Sequence, residues 1–121
     1  MYQNMKVWSR RLGVPTPSEE KYRSLLAESN MEGSVLVAPL AFALKKKTQV
    51  SRQAALEGAR LMAGILRGEM QGNLYTRLAS SGVESERETE KVIKAISEGL
   101  TARNKEKSRP SIAQNILNKI R

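Results

Sequence analysis

Residues 48–71 read TQVSRQAALEGARLMAGILRGEMQ, and the fold turns on this stretch. At 100° per residue, Ala54, Ala55, Gly58, Leu61, Met62, Ile65, Leu66 and Met70 fall on one broad face, with Arg60 and Arg67 near the opposite one. The spacing predicts a long helix from about Thr48 to Gln71. Its apolar face spans about half the circumference, wider than the seam of a simple coiled coil, so more than one element should pack on it. Small residues recur four apart, Ala54 to Gly58 and Ala55 to Ala59 to Ala63, which lets another backbone approach closely. Each glycine costs a helix about 1 kcal/mol relative to alanine. Gly58, Gly64 and Gly68 therefore require tight packing or a bend.

Upstream lies SVLVAPLAFAL, residues 34–44, followed by Lys45, Lys46 and Lys47. Val35 to Val37 favour a strand, but no other segment offers a strand partner, so a helix capped by Ser34 is the better reading, with Pro39 just past its first turn or at the start of a separate helix running through Phe42 and Leu44 to Lys47. Apolar on nearly every side, it should be the most buried element or an interface. Before it, Thr16, Pro17 and Glu19 have the order of N-cap, first helical residue and capping-box partner for a helix running to about Asn30 and stopped by Gly33. At the N-terminus Met5, Trp8 and Leu12 stand at helical spacing on a short basic helix ended by Pro15.

Downstream, Gly72 breaks the pattern and Asn73 can cap a short helix holding Leu74, Tyr75 and Leu78. Ser85 with Glu88 marks a further start, in a run where Glu84, Glu86, Glu88 and Glu90 suit the positive end of the helix dipole. That helix should bury Val92, Ile96, Gly99 and Leu100 and end near Arg103, with Lys91 and Lys94 placed to pair with the preceding acids. NKEKSR, residues 104–109, reads as a loop closed by Pro110, before a final amphipathic helix carrying Ile112, Ile116, Leu117 and Ile120. The expected fold is all-α: a compact bundle of five or six helices around residues 48–71. Residues 1–103 form the helical domain, and 104–121 are a basic linker plus a C-terminal helix docked on that domain or on a partner.

Leu, Ile, Val and Phe make up 27 of 121 residues, a thin core for one domain, and Trp8, Phe42, Tyr2, Tyr22 and Tyr75 are the only aromatics. A homo-oligomer or a protein partner would complete such a chain. His, Cys and Asp are absent. That removes zinc fingers, thiol nucleophiles, imidazole bases and haem or iron-sulfur ligand sets, and nothing arranges the remaining Glu, Ser and Lys as a catalytic motif. The expectation is a protein that is not an enzyme and has no metal or cofactor. No segment nears the roughly 20 apolar residues of a membrane span, and the first residues lack a signal peptide's apolar stretch, so the cytoplasm is the expected compartment.

Charge is the informative feature. The chain carries +9, placed unevenly: +3 over residues 1–18, +5 over 45–67 and +5 over 103–121, with acids gathered at 84–90. Phosphate contact explains such segments economically. The candidate nucleic-acid-binding residues, for DNA or RNA, are Lys45, Lys46, Lys47, Arg52, Arg60 and Arg67, helped by Arg103, Lys105, Lys107 and Arg109. About six neutralised phosphates would give a log–log salt slope near 5 on duplex DNA. Residues 40–47 and 50–70 also have the outline of a helix-turn-helix, with Gln49, Ser51, Arg52 and Gln53 at the second helix's start, although the usual turn glycine is missing. Too few aromatics are present for a single-strand stacking platform. The competing class is an assembly or adaptor subunit of a larger complex, its basicity serving an acidic partner.

Overall fold

The computed structural model describes residues 2–31, 35–69, 74–80 and 85–120, with side-chain surroundings for all of these except 74, 75 and 107–120. Within the described residues the chain is all-α: α1 (Tyr2–Leu12), α2 (Glu19–Ser29), α3 (Val37–Thr48), α4 (Arg52–Leu66), α5 (Leu74–Ser80) and α6 (Glu86–Ile120), with no strand. None of these helices is long and apolar enough to cross a membrane.

The centre is a pair of helices rather than one. α3 and α4 share the largest interface; α3 also meets α1 and α6, and α4 also meets α5 and α6. The predicted 48–71 helix contracts to Arg52–Leu66 because the chain turns left-handed at both ends. Gln49 adopts φ 57° and closes α3, while Ser51 starts α4 by accepting a hydrogen bond from the Ala54 N–H. At the other end Gly68 adopts φ 75°, and the N–H groups of Gly68 and Glu69 close back on Ile65 and Gly64. Met70, Gln71, Gly72 and Asn73 lie outside the described residues.

Most of the predicted apolar face of α4 is buried, with Ala54, Ala55, Gly58, Leu61 and Met62 joined by Ala59, Ala63 and Gly64, while Ile65 and Leu66 are half-buried. Its small residues admit neighbours at close range. A Cβ built on Gly58 would overlap Val92 Cγ1 on α6, so that crossing requires hydrogen at this position. α3 is helical as expected, with Pro39 in its first turn where no donor is needed. Ala38, Pro39, Leu40, Ala41, Ala43 and Leu44 are buried, but Val35, just before the helix, is exposed and Phe42 only half-buried, so burial is one-sided. Gly33 and Ser34 lie outside the described residues.

Other ends differ from the sequence reading. Ser18, not Thr16, caps α2, its hydroxyl accepting the Lys21 N–H at 3.2 Å. The Pro17 carbonyl instead accepts the Tyr2 hydroxyl at 2.6 Å, a tertiary bond that takes it out of the helix. Asn30, left-handed at φ 56°, stops α2, and Gly13, at φ 69°, stops α1 ahead of Pro15. α6 starts as predicted, with the Ser85 hydroxyl accepting the Glu88 N–H, and buries Val92, Ala95, Ile96 and Gly99. It does not end near Arg103: helix continues through residues 104–109 and across Pro110 to Ile120. The stretch NKEKSR is rich in strong helix formers, and polarity there marks solvent rather than a loop.

α1 is tied to α6 by charge as well as packing. Arg10 Nη2 donates to Glu106 Oε1 at 2.6 Å, Arg11 Nε donates to Oε2 of the same carboxylate, and the Arg11 guanidinium lies 4.6 Å from the Trp8 ring centroid. The hydrogen bond from Arg11, opposed by partial desolvation and aided by Arg10, holds the Glu106 carboxyl below its ordinary range.

Candidate functional site

The lysine triplet lies on the last turn of α3, where unsatisfied carbonyls carry partial negative charge and cations are favoured. The helix is closed firmly beneath it: the Thr48 hydroxyl donates to the Leu44 carbonyl at 2.7 Å, and the Gln49 N–H to the Lys45 carbonyl at 2.8 Å. Three consecutive residues at 100° steps point three ways, and each lysine borders a different part of the surface.

Lys45 borders a groove of about 710 Å³ between α2, α3 and α4, and Arg52 and Arg60 complete its basic edge. Its floor is apolar, formed by Leu25, Met31, Val37, Ala41, Phe42 and Leu56, and Glu28 on α2 is the one acid among the described residues that line it. Lys46 borders a recess of about 340 Å³ with Lys45, Leu25, Phe42 and Gln49. Lys47 faces α6 across a cleft of about 460 Å³ that also exposes Gln49, Lys91 and Lys94. Shared residues join these spaces into one band from Arg60 through the triplet to Lys91.

Acids only partly neutralise the band. Arg60 pairs with Glu57 at 2.7 Å and Lys47 with Glu98 at 3.2 Å. Lys45 Nζ donates to the Val50 carbonyl at 3.1 Å, which holds it beside the groove without neutralising it. Lys46, Arg52, Lys91 and Lys94 have no ion-pair partner among the described residues. The pairing expected of Lys91 and Lys94 with the acids before them is thus not formed. These two lysines belong to the basic surface that the sequence reading overlooked, and their three-residue spacing on one α6 face was the available signal.

Lys45, Lys46, Lys47, Arg52 and Arg60 are therefore brought together and exposed. Arg67 is not with them: it closes α4 at the far end and pairs with Glu69 at 3.2 Å. Arg103 is half-buried, donating to Asn104 Oδ1 at 3.2 Å, with its Nε buried and unbonded. Lys105 is exposed on the same helix, and the side chains of Lys107 and Arg109 lie outside the described residues.

The helix-turn-helix outline corresponds to α3, a three-residue joint and α4, with left-handed Gln49 in the joint, which lacks the glycine usual in such turns. Part of its contact surface is already used. The Ser51 hydroxyl caps α4 and its N–H donates to the Glu88 carboxylate at 2.5 Å, which leaves Gln49, Arg52 and Gln53 exposed there. Comparison with protein-family models, with curated proteins and with solved structures finds no match.

Proposed function

We propose that this chain is a non-enzymatic, basic, helical accessory protein that binds nucleic acid through phosphate contacts. The observation that supports this reading is the fan of Lys45, Lys46 and Lys47 at the end of α3, flanked by Arg52 and Arg60 on one side and Lys91 and Lys94 on the other. Seven cations along one band, against Glu28, Glu57, Glu88 and Glu98 among the described residues, suit a polyanion better than a single small anion. Phosphate contacts of this kind position a protein on a duplex or a single strand without reading its sequence.

Binding to duplex and single-stranded DNA and RNA, followed by fluorescence anisotropy over a salt series, tests the proposal. Affinity should fall steeply with salt. Replacing Lys45, Lys46 and Lys47 together by Gln should weaken binding to every sequence and lower the log–log slope on duplex DNA by up to about 2.7, roughly 0.9 per lost contact. Helicity should change little, because all three side chains are exposed on a closed helix end. Salt-insensitive binding, or a slope unaffected by the triple substitution, would rule out this site.

A further inference from the structure

Phosphate contact uses the rim of the groove between α2, α3 and α4 and leaves its floor unexplained. Leu25, Met31, Val37, Phe42 and Leu56 are all half-buried there, so folding of this chain covers them only partly. The Phe42 ring is held edge-on against Tyr22, with centroids 5.9 Å apart, which fixes the floor's shape. At about 710 Å³ the space lies within the range of true binding sites.

The walls differ in charge. Lys45, Arg52 and Arg60 stand on the α3 and α4 side, Arg60 shared with Glu57 one turn before it, and Glu28 on the α2 side. Arg52 and Arg60, eight residues apart on α4, are separated by about 12 Å along the helix axis. A duplex would meet the rim with a convex, polar backbone and leave the floor exposed. A stacked nucleobase needs aromatic faces, and Phe42 is the only aromatic among the described lining residues. An apolar trough with one basic wall is instead complementary to an amphipathic helix with one acidic flank.

We infer that the groove receives an amphipathic α-helix of a partner protein. Its apolar stripe enters between Leu25, Phe42 and Leu56, and carboxylates about two turns apart on one flank meet Arg52 and Arg60. The opposite flank, facing Glu28, carries no acid. The floor takes no part in phosphate contact, so the helix site stands without nucleic-acid binding, but Arg52 and Arg60 serve both and the two ligands would compete at the rim.

The test uses the full chain, isotope-labelled for NMR, and a synthetic helical peptide of about 18 residues. Its leucines stand at i, i+4, i+7 and i+11, with glutamates seven apart on one flank. The peptide should bind saturably and shift the backbone amides of Met31, Phe42 and Leu56. A version with lysines in place of those glutamates should bind at least about tenfold more weakly. The Arg52→Glu/Arg60→Glu double variant, both positions being exposed, should retain its helicity and reverse that preference. Absence of binding, shifts located away from the groove, equal binding by a scrambled peptide, or an unreversed preference would each overturn the inference. So would shifts of the floor by palmitate or by an oligothymidylate where the acidic peptide gives none.

Discussion

A Cβ on Gly58 would run into Val92 Cγ1 and reach Leu44 Cδ1 at 3.5 Å, and Val92 is a stiff, β-branched, fully buried side chain. A Cβ on Gly99 would meet Met62 Cε at 2.8 Å and Leu12 Cδ2 at 3.1 Å, the far ends of flexible side chains. Alanine brings the same helix gain of about 1 kcal/mol at both positions. Gly58→Ala should therefore be destabilising by about 1–3 kcal/mol, and Gly99→Ala should fall within about 1 kcal/mol of the parent. Urea unfolding of both variants checks the order, and equal effects would contradict it. Tyr22 offers a second test at this scale. Its hydroxyl is buried without a hydrogen bond, and burial raises its phenol above the ordinary value of 10.0. Tyr22→Phe should be neutral or stabilising by about 1 kcal/mol, since it removes an unsatisfied polar group. The folded state keeps the Tyr22 proton where the unfolded chain loses it, so this group's contribution is intact below pH 10 and declines as pH rises through 10 toward the folded value. Stability of the parent should thus fall more steeply than that of Tyr22→Phe between about pH 9.5 and 11. Parallel curves would rule out this cause.

Helix ends make the next scale testable. Ser51→Ala removes the cap of α4 and should lower stability by about 1 kcal/mol. Ser18→Ala should cost a similar amount, whereas Thr16→Ala, at an exposed residue outside α2, should be silent by thermal melting. A larger loss at Thr16 would restore the capping box expected from sequence. The contrast shows what was legible. Apolar spacing located α1, α4 and the first half of α6, because the 3.6-residue period is set by which face must leave water, whereas α2 was read from its capping residues and α3, apolar on nearly every side, only from the lack of a strand partner. The ends were less legible, because they depend on partners elsewhere in the chain. The Tyr2 hydroxyl takes the Pro17 carbonyl, Gln49 and Asn30 adopt left-handed geometry that sequence assigns first to glycine, and residues 104–109 stay helical despite their polarity.

Over the whole molecule, the candidate site was legible as composition and not as place. Sequence identified the basic segments, but α4 carries Arg52 and Arg60 to the groove and Arg67 to its far end, and only the packing of α3 on α6 brings Lys91 and Lys94 beside Lys47. The contact between α1 and α6 has a different consequence, one of timing. Arg11 and Glu106 lie 95 residues apart in the chain, and a Cβ on Gly99 would touch both Leu12 and Trp8, so the α6-facing side of α1 is covered only when residues 99–106 are in place, although α3 covers another side earlier. Closing so long a loop is entropically expensive, whereas α3 and α4 need only a three-residue joint. Glu106→Gln should therefore speed unfolding and leave the refolding rate nearly unchanged in stopped-flow experiments, because the clamp forms after the rate-limiting barrier; slowed refolding would place it before that barrier. During synthesis, which proceeds from the N-terminus, Trp8 and Leu12 leave the ribosome long before the residues that cover them. Until residues 99–106 follow, Trp8 lacks its α6-side neighbours and has only the cover that earlier helices supply.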